Sequence, residues 1–454
     1  MQQYPKLFSP KRLKSEDIQC QTLINLGQCD TKPSLGVLND REMVVFTHHS
    51  HYEHPDHRSP AQKDKHLQIY HTVMYRTEDG GKTWFSCGHM PFDGHEPSVT
   101  VIDGVLFVHT HAFPTLASDH DLVTAHIYRS EDQGKTWECT HIDSACVGFR
   151  CNTCMNRNFI RLRDGSVAGF VTAYTKTRSE VLRVVSYDMG KTWTCAPVAE
   201  ALKLIENSSY RSLVEGVFFR SRAGRLMAIT RIDWSCVLPE QKAQIPGADV
   251  QSNAADIDQS DCMLLMASDD EGLTWTPLRG LGYSSMMYPS IVYLNDRDIL
   301  LTYTKRDASK PSPYHHFGVQ AVLGRENEDG SFDFDFDHDI IVLEDHIPDY
   351  SAEAGGYGRT FQLSDGSLVT PYSYRINSAE FDRLIQSDDF TRDEVFQAYY
   401  ENSKLLGNCP SAEYYRQGSF ELKKHLIHLF ALERMQTRYV SDFIRWRVRL
   451  PQED

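Results

Sequence analysis

Short apolar runs recur in pairs along this chain of 454 residues, and a polar turn separates the two runs of each pair. An apolar run, an Asp/Gly-type turn and a second apolar run are typical of two antiparallel strands joined by a hairpin. Seven such pairs follow one another, the last being the weakest: 33–47, 97–111, 158–174, 215–231, 288–305, 357–375 and 416–432. We therefore predict an all-β protein built from repeated antiparallel units.

A second pattern occurs four times, at 77–84, 130–137, 186–193 and 268–275, and reads Ser/Thr-x-Asp-x-Gly-x-Thr-Trp. Its Asp can accept backbone N–H groups and its Gly can take a positive φ, so the pattern predicts a tight turn with the Trp packed beneath it. We expect its aspartates to be structural, since building the turn explains them fully. They are Asp79, Asp132, Asp188 and Asp270.

This repeated pattern is that of the Asp-box, and the chain resembles the sialidase superfamily of β-propellers. The resemblance implies a ring of four-stranded antiparallel blades, with an Asp-box between the third and fourth strands of each of the first four blades. Counting the strand pairs predicts seven blades in a single domain spanning 1–454, with 23–26 as a closing strand for the last blade. Six blades, as in sialidases themselves, are the alternative.

Charge and composition narrow the possible partners. The formal net charge of −15 argues against nucleic acid or an anionic membrane. Residues 1–17 lack the apolar segment of a secretory signal, so we expect a cytoplasmic protein without a membrane partner. Eleven scattered cysteines, an odd number in a long chain, do not suggest a disulfide framework. An anionic substrate would need a local basic pocket.

The propeller geometry predicts where that pocket lies. The start of the first strand of a blade and the end of its second strand share one face, and on this face the chain collects His, Tyr and Arg. Such a lining suits an acidic sugar, and the alternative is a set of solvated rim residues. The predicted substrate-binding residues are Lys32, His49, Arg157, Arg231, Trp234, Arg306, Tyr357, Arg359, Arg375 and Arg416.

The stretch 214–231 carries the closest match to sialidases, because a Glu opens one strand and an Arg closes the next. The resemblance implies that Glu215 is the base for a nucleophilic tyrosine, that Arg231 clamps the substrate carboxylate, and that Tyr288 is that tyrosine. A tyrosine nucleophile needs a nearby carboxylate because its free pKa is about 10. The alternative for Glu215 is a buried, paired structural carboxylate.

The chain departs from the sialidase pattern in two places. Sialidases open their first blade with Arg-Ile-Pro, whereas this chain has Thr31-Lys32-Pro33, and lysine lacks the planar fork of arginine. The position of the sialidase acid/base Asp has Asp56 as its nearest candidate, within a His-rich loop.

A second resemblance is to seven-bladed relatives of sialidases that cut uronate-containing glycans, of the ulvan or rhamnose–glucuronate type, by β-elimination. It implies a histidine base, a tyrosine acid and an arginine that neutralises the uronate carboxylate. Matching groups are His89, His95, His109, His111 and Tyr174, together with Arg157 and Arg231.

We predict no cofactor and no catalytic metal. A structural calcium, or a transition metal on the His109/His111 or His49/His51 pairs, is the alternative. The function predicted is a carbohydrate-active enzyme, a sialidase-like glycoside hydrolase that cleaves an acidic oligosaccharide. A polysaccharide lyase and a non-catalytic glycan-binding propeller are the alternatives.

Overall fold

Antiparallel sheets arranged as the blades of a propeller make up the computed structural model of this protein. The structure describes residues 4–28, 30–52, 68–93, 95–111, 125–142, 152–174, 179–198, 212–234, 237, 242–243, 245, 261–305, 318–344, 356, 358–376 and 438–450. Across these residues the strands form six sheets. No helix found among them is long and apolar enough to cross a membrane.

The chain begins with two strands that are used by the last two blades. They are β1 (Lys6–Phe8) and β2 (Ile18–Gln28), separated by a 3-10 helix at Ser15–Asp17. Blade 1 then contains β3 (Asp30–Val37), β4 (Met43–Tyr52), β5 (Gln68–Thr77) and β6 (Phe85–Asp93). Blade 2 contains β7 (His95–Ile102), β8 (Val105–His111), β9 (Ala125–Ser130) and β10 (Glu138–Ile142).

Blades 3 and 4 follow the same order. Blade 3 has its first strand split into β11 (Asn152–Met155) and β12 (Ile160–Arg161), followed by β13 (Val167–Tyr174), β14 (Ser179–Ser186) and β15 (Thr194–Pro197). Blade 4 contains β16 (Ser212–Arg220), β17 (Leu226–Asp233), β18 (Asp261–Ser268) and β19 (Thr276–Leu281).

The last two blades incorporate the N-terminal strands. Blade 5 contains β20 (Met286–Tyr293), β21 (Asp298–Lys305), β22 (Gly318–Glu326), β23 (Phe332–Phe334) and β24 (Ile340–Glu344), with β1 added at its outer edge. Blade 6 contains β25 (Phe361–Gln362), β26 (Leu368–Ile376) and β27 (Arg438–Val448), with β2 as its outermost strand.

The predicted count of seven blades is wrong, because the ring closes with six. Blade 6 is completed by β2, so the predicted closing strand at 23–26 is confirmed as part of that strand. Blade 6 also contacts blade 1 directly. The Lys32 amide donates to Ser373 Oγ at 3.1 Å, and Arg445 Nη1 donates to the Gly80 carbonyl at 2.9 Å. The seventh predicted pair, 416–432, lies outside the described residues.

The four repeats of the sequence form the turns between the third and fourth strands of blades 1 to 4. In the first, Asp79 accepts the amides of Lys82 at 2.9 Å and Thr83 at 3.0 Å, and the Thr83 hydroxyl at 2.6 Å. The aspartates of the other three turns accept the amide and the hydroxyl of the corresponding threonine. We call these segments the repeat turns.

Each repeat turn docks on the preceding blade through the same pair of contacts. An arginine on the third strand of that blade donates to the carbonyl just before the turn's last glycine, as Arg129 Nε does to Met189 O at 3.1 Å. The glycine itself lies against an apolar side chain of the preceding blade. A Cβ on Gly190 would lie 2.4 Å from Phe107, and one on Gly272 would lie 2.6 Å from Phe170.

The apolar core lies between neighbouring blades, as expected when sheets pack face to face. The motif tryptophans belong to this packing. The Trp275 ring lies 5.4 Å from that of Phe170 and 5.6 Å from that of Phe218, and the Trp84 ring lies 4.8 Å from that of Phe443. The expectation that these tryptophans pack inside the protein is therefore confirmed for Trp275, which is buried, while Trp84 is half-buried.

Candidate functional site

Four blades carry a non-glycine residue in the left-handed region near the start of the first strand. These residues and their φ angles are Lys32 at 54°, Glu96 at 54°, Glu215 at 55° and Tyr288 at 53°. Each coincides with a bulge against the second strand of its blade. A bulge re-aims a side chain, and left-handed backbone costs about 1–3 kcal/mol. The same strained device in four blades marks this face of the ring as the candidate site.

Glu215, Arg231 and Tyr288 meet on this face together with Arg157. Arg231 Nη1 donates to Glu215 Oε2 at 2.8 Å. The guanidinium carbon of Arg157 lies 4.3 Å from the centre of the Tyr288 ring, and that of Arg231 lies 5.8 Å from it. These four side chains come from blades 3, 4 and 5. All four residues are buried, Tyr288 with 2% of its surface exposed.

Hydrogen bonds between blades 3 and 4 hold Arg157 and Glu215 in place. The Gly216 amide donates to Asn156 Oδ1 at 2.7 Å, and the Arg157 amide donates to the Gly216 carbonyl at 2.8 Å. A Cβ on residue 216 would lie 2.5 Å from Thr230, so the close approach of the two strands requires glycine after Glu215. The backbone that carries the two charged side chains is therefore fixed by its neighbours.

Arg359 of blade 6 adds a further positive charge. Its Nη1 donates to the carbonyl of Val99 in blade 2 at 2.9 Å, so the side chain reaches past blade 1 to blade 2. Burial, followed by repulsion from the charge of Arg157, lowers the pKa of Arg359 to about 10. Arg359 is still charged at neutral pH, and within the described part of the chain no carboxylate forms an ion pair with it. The site is therefore suited to an anion.

Lys32 lies in a separate ion pair. Its Nζ contacts Glu96 Oε1, and the Glu96 amide donates to His48 Nδ1 at 3.1 Å. The sequence places Glu96 and His48 on the face predicted for the pocket but assigns neither a role. A signal was present in the sequence, because Lys32, Glu96 and Tyr288 are each followed by Pro-Ser. The Lys32 ammonium is thus paired with a buried carboxylate, as the Arg231 guanidinium is paired with Glu215.

Of the histidines of the predicted lyase site, His109 has a described side chain, and it is buried. His109 has no exposed surface, and its ring packs edge-on against Phe159 at 5.8 Å, within the packing between blades 2 and 3. His95 and His111 are cross-strand partners at the end of blade 2, and Tyr174 pairs with Asn152. The side chains of His95, His111 and Tyr174 lie outside the described part of the structure.

Among the remaining predicted residues, Trp234 is the one whose side chain the structure describes. Trp234 packs in the apolar cluster between blades 3 and 4, which gives its predicted sugar contact no support. The backbones of His49 and Arg375 lie in β4 and β26, opposite His71 and Tyr439, but their side chains are not described. Asp56, Arg306, Tyr357 and Arg416 lie outside the described residues. Among the side chains that are described, no group of three His, Cys, Asp or Glu is placed to hold a metal ion.

Comparison with known proteins supports the fold. No protein-family model matches the chain, and no curated protein is detectably similar in sequence. A protein of unknown function from Dyadobacter fermentans has a similar structure, with a TM-score of 0.54 at 16% identity over 95% of this chain and 100% of that one. This likeness shows the fold alone.

Two sialidase structures are similar at a lower level. An intramolecular trans-sialidase from Ruminococcus gnavus has a TM-score of 0.47 at 11% identity, over 76% of this chain and 89% of that one. The NanB sialidase from Streptococcus pneumoniae has a TM-score of 0.47 at 12% identity, over 78% and 67% of the two chains. At these scores the likeness carries no argument about activity.

Proposed function

We propose that this protein is a glycoside hydrolase that cleaves a glycosidic bond at a sugar bearing a carboxylate. One observation carries the proposal: two guanidinium groups, Arg157 and Arg231, face the ring of Tyr288, and Arg231 is held by Glu215. Cations, a phenol and a carboxylate thus converge where the backbone of Glu215 and Tyr288 is strained. Groups arranged in this way are more typical of catalysis than of passive binding.

In this proposal the arginines bind the substrate carboxylate, since a guanidinium can give a carboxylate two parallel hydrogen bonds. Tyr288 is the nucleophile and Glu215 accepts its proton. The positive charge of Arg157 over the Tyr288 ring stabilises the phenolate that forms. Burial of the site strengthens each of these electrostatic contacts relative to water.

Hydrolysis has more support than elimination. Elimination needs a base that reaches the C5 proton of a uronate, and His109 is enclosed between two blades. Arg231 instead contacts Glu215 and lies, together with Arg157, over the ring of Tyr288. The lyase and the glycan-binding propeller are tested by the same experiment as the hydrolase.

The experiment is mass spectrometry of products formed from a panel of sialylated and uronate-bearing oligosaccharides. Fragments that together gain one water support a hydrolase, whereas an unsaturated fragment with no water gained identifies a lyase. Tyr288→Phe should abolish hydrolysis while leaving the fold intact by circular dichroism. The exposed Asp296→Asn change, on a hairpin between strands of blade 5, serves as the control. Binding of the panel sugars without any cleavage would contradict the proposal and favour a binding propeller.

A further inference from the structure

The carboxylate of Glu215 is engaged by Arg231 in the unliganded protein. Among the residues that the structure describes, the hydrogen bond and the ion pair of Glu215 both go to Arg231, at 2.8 Å, and none goes to Tyr288. A base for Tyr288 must face the phenol oxygen. The proposed base is therefore held on Arg231 rather than on the phenol.

We propose that the carboxylate of the substrate switches the site on by replacing Glu215 on Arg231. This inference rests on the proposed function and names how the same site is controlled. A substrate that brings a carboxylate to Arg231 displaces Glu215, which then turns to Tyr288. Substrates lacking the carboxylate leave Glu215 held by Arg231.

Charge accounting favours such an exchange. Glu215 and Arg231 are both more than nine-tenths buried, and an unpaired charge in that environment is costly. When a substrate carboxylate replaces Glu215 on Arg231, the arginine is still paired with one negative charge. Glu215 loses its partner and is neutralised by taking the Tyr288 proton. The resulting phenolate keeps Arg157 over its ring.

The covalent step balances. The proton passes from Tyr288 Oη to Glu215, the Tyr288 oxygen bonds to the anomeric carbon, and the glycosidic C–O bond breaks. Water gives its proton to the departing oxygen, and the hydroxide left behind then attacks the anomeric carbon. The Tyr288–sugar bond breaks, and Glu215 returns the proton to Tyr288. The sum is hydrolysis by one water.

The backbone around Glu215 is fixed in a way that allows its side chain to change partners. Glu215 has φ 55° at a bulge, while Gly216 behind it is clamped by Asn156. With its backbone fixed from behind, Glu215 can change partners by rotating its side chain alone. Arg231 lies in the adjacent strand, and its guanidinium carbon is 5.8 Å from the centre of the Tyr288 ring, so both partners lie on the same side of Glu215 as its present ion pair.

The kinetic test uses umbelliferyl glycosides of sialic acid and of glucuronic acid together with their methyl esters. The exchange predicts that the ester loses kcat, by about tenfold or more, rather than only gaining in KM. Acetate added to the ester should restore part of the lost kcat in the wild type but not in Arg231→Lys. An ester with the kcat of the acid, or acetate that only inhibits, would overturn the inference and leave the proposed hydrolase standing.

A binding test does not depend on turnover. Glu215→Gln removes the competitor for Arg231, so this variant should bind acetate and free glucuronate more tightly than the wild type, by about tenfold, in titration calorimetry. Asp296→Asn removes one negative charge at an exposed position and serves as the control for a general charge effect. Equal gains in the two variants, or no gain in Glu215→Gln, would overturn the exchange even if no glycoside were cleaved, and that lack of cleavage would separately count against the proposed function.

Discussion

The Glu215–Arg231 pair, to which we assign a part in the proposed chemistry, carries a cost in stability. Moving two charges into a protein interior loses hydration that their attraction only partly returns. Glu215 in addition holds a left-handed backbone conformation that a glycine would tolerate better. Because the pair costs free energy of folding and includes a strained backbone, its position beside Tyr288 is the best explanation for it.

Replacing one member of this pair should lower the free energy of unfolding more than replacing both members. Arg231→Met leaves the Glu215 carboxylate buried without its cation, and we expect a loss of about 3–5 kcal/mol in the free energy of unfolding. The double variant Glu215→Gln/Arg231→Met should lose clearly less than the sum of the two single changes. Urea unfolding of all four proteins in a double-mutant cycle measures the coupling. Additive losses would show that the two side chains do not interact in solution.

The repeat turns predict a dependence of stability on acid. The Thr83 hydroxyl and amide, which donate to Asp79, lower the pKa of that carboxyl to about 2. The folded value lies below the unfolded value of about 4, so the contribution is complete above about pH 4 and is lost as the pH falls towards 2. Asp79→Asn should therefore flatten the fall in urea midpoint over that range. Lys82→Ala keeps the donating amide and should retain the wild-type slope.

At the scale of elements, the repeat turns join blades as well as strands. The contact pair of arginine and glycine runs from blade 6 to 1, from 1 to 2, from 2 to 3 and from 3 to 4. Blade 5 lacks the repeat, and its junction with blade 4 uses the Glu326 carboxylate, which accepts the Arg222 amide at 3.1 Å. The repeat therefore specifies how a blade docks on the one before it.

Substitutions at two glycines of blade 3 can distinguish the cost of lost docking from the cost of backbone strain. Gly190 and Gly165 have φ 84° and 86°, but a Cβ on Gly190 would lie 2.4 Å from Phe107, while nothing lies within 4 Å of one on Gly165. Gly165→Ala should cost about 1–2 kcal/mol for the left-handed conformation. Gly190→Ala should cost a further 1–3 kcal/mol or so for overpacking. Equal losses in urea unfolding would contradict the docking role.

Local patterns were sufficient to predict six strand pairs, the positions of the repeat turns and the neighbourhood of Glu215, Arg231 and Tyr288, because each follows from a short stretch of sequence. The Lys32–Glu96 pair and the contact of Arg359 with Val99 each join different blades, so they depend on the order of the blades around the ring. The count of blades failed for the same reason. The sequence at 416–432 resembles a strand pair, but β2, from the far end of the chain, completes the ring.

At the scale of the whole molecule, one strand ladder joins the two ends of the chain. β2 pairs with β27 from Ile18↔Val448 to Gln28↔Val440, and the chain then enters blade 1 at β3. Without β2 the edge of β27 is open, and an open strand edge favours association with other chains. The completion of blade 6 therefore depends on a ladder formed between residues more than 400 positions apart in the chain.

Removing 1–28 should therefore abolish cooperative unfolding of the ring, since β1 and β2 are lost from blades 5 and 6 together. A synthetic peptide spanning 18–28 should bind the truncated protein and restore part of the thermal transition, because it re-forms the outer strand of blade 6. The same peptide with Ile18→Asp places a charge at a buried position and should fail. Differential scanning calorimetry across a peptide titration measures the recovery, and a truncated protein that unfolds like the full chain would show that the ring does not depend on this closure.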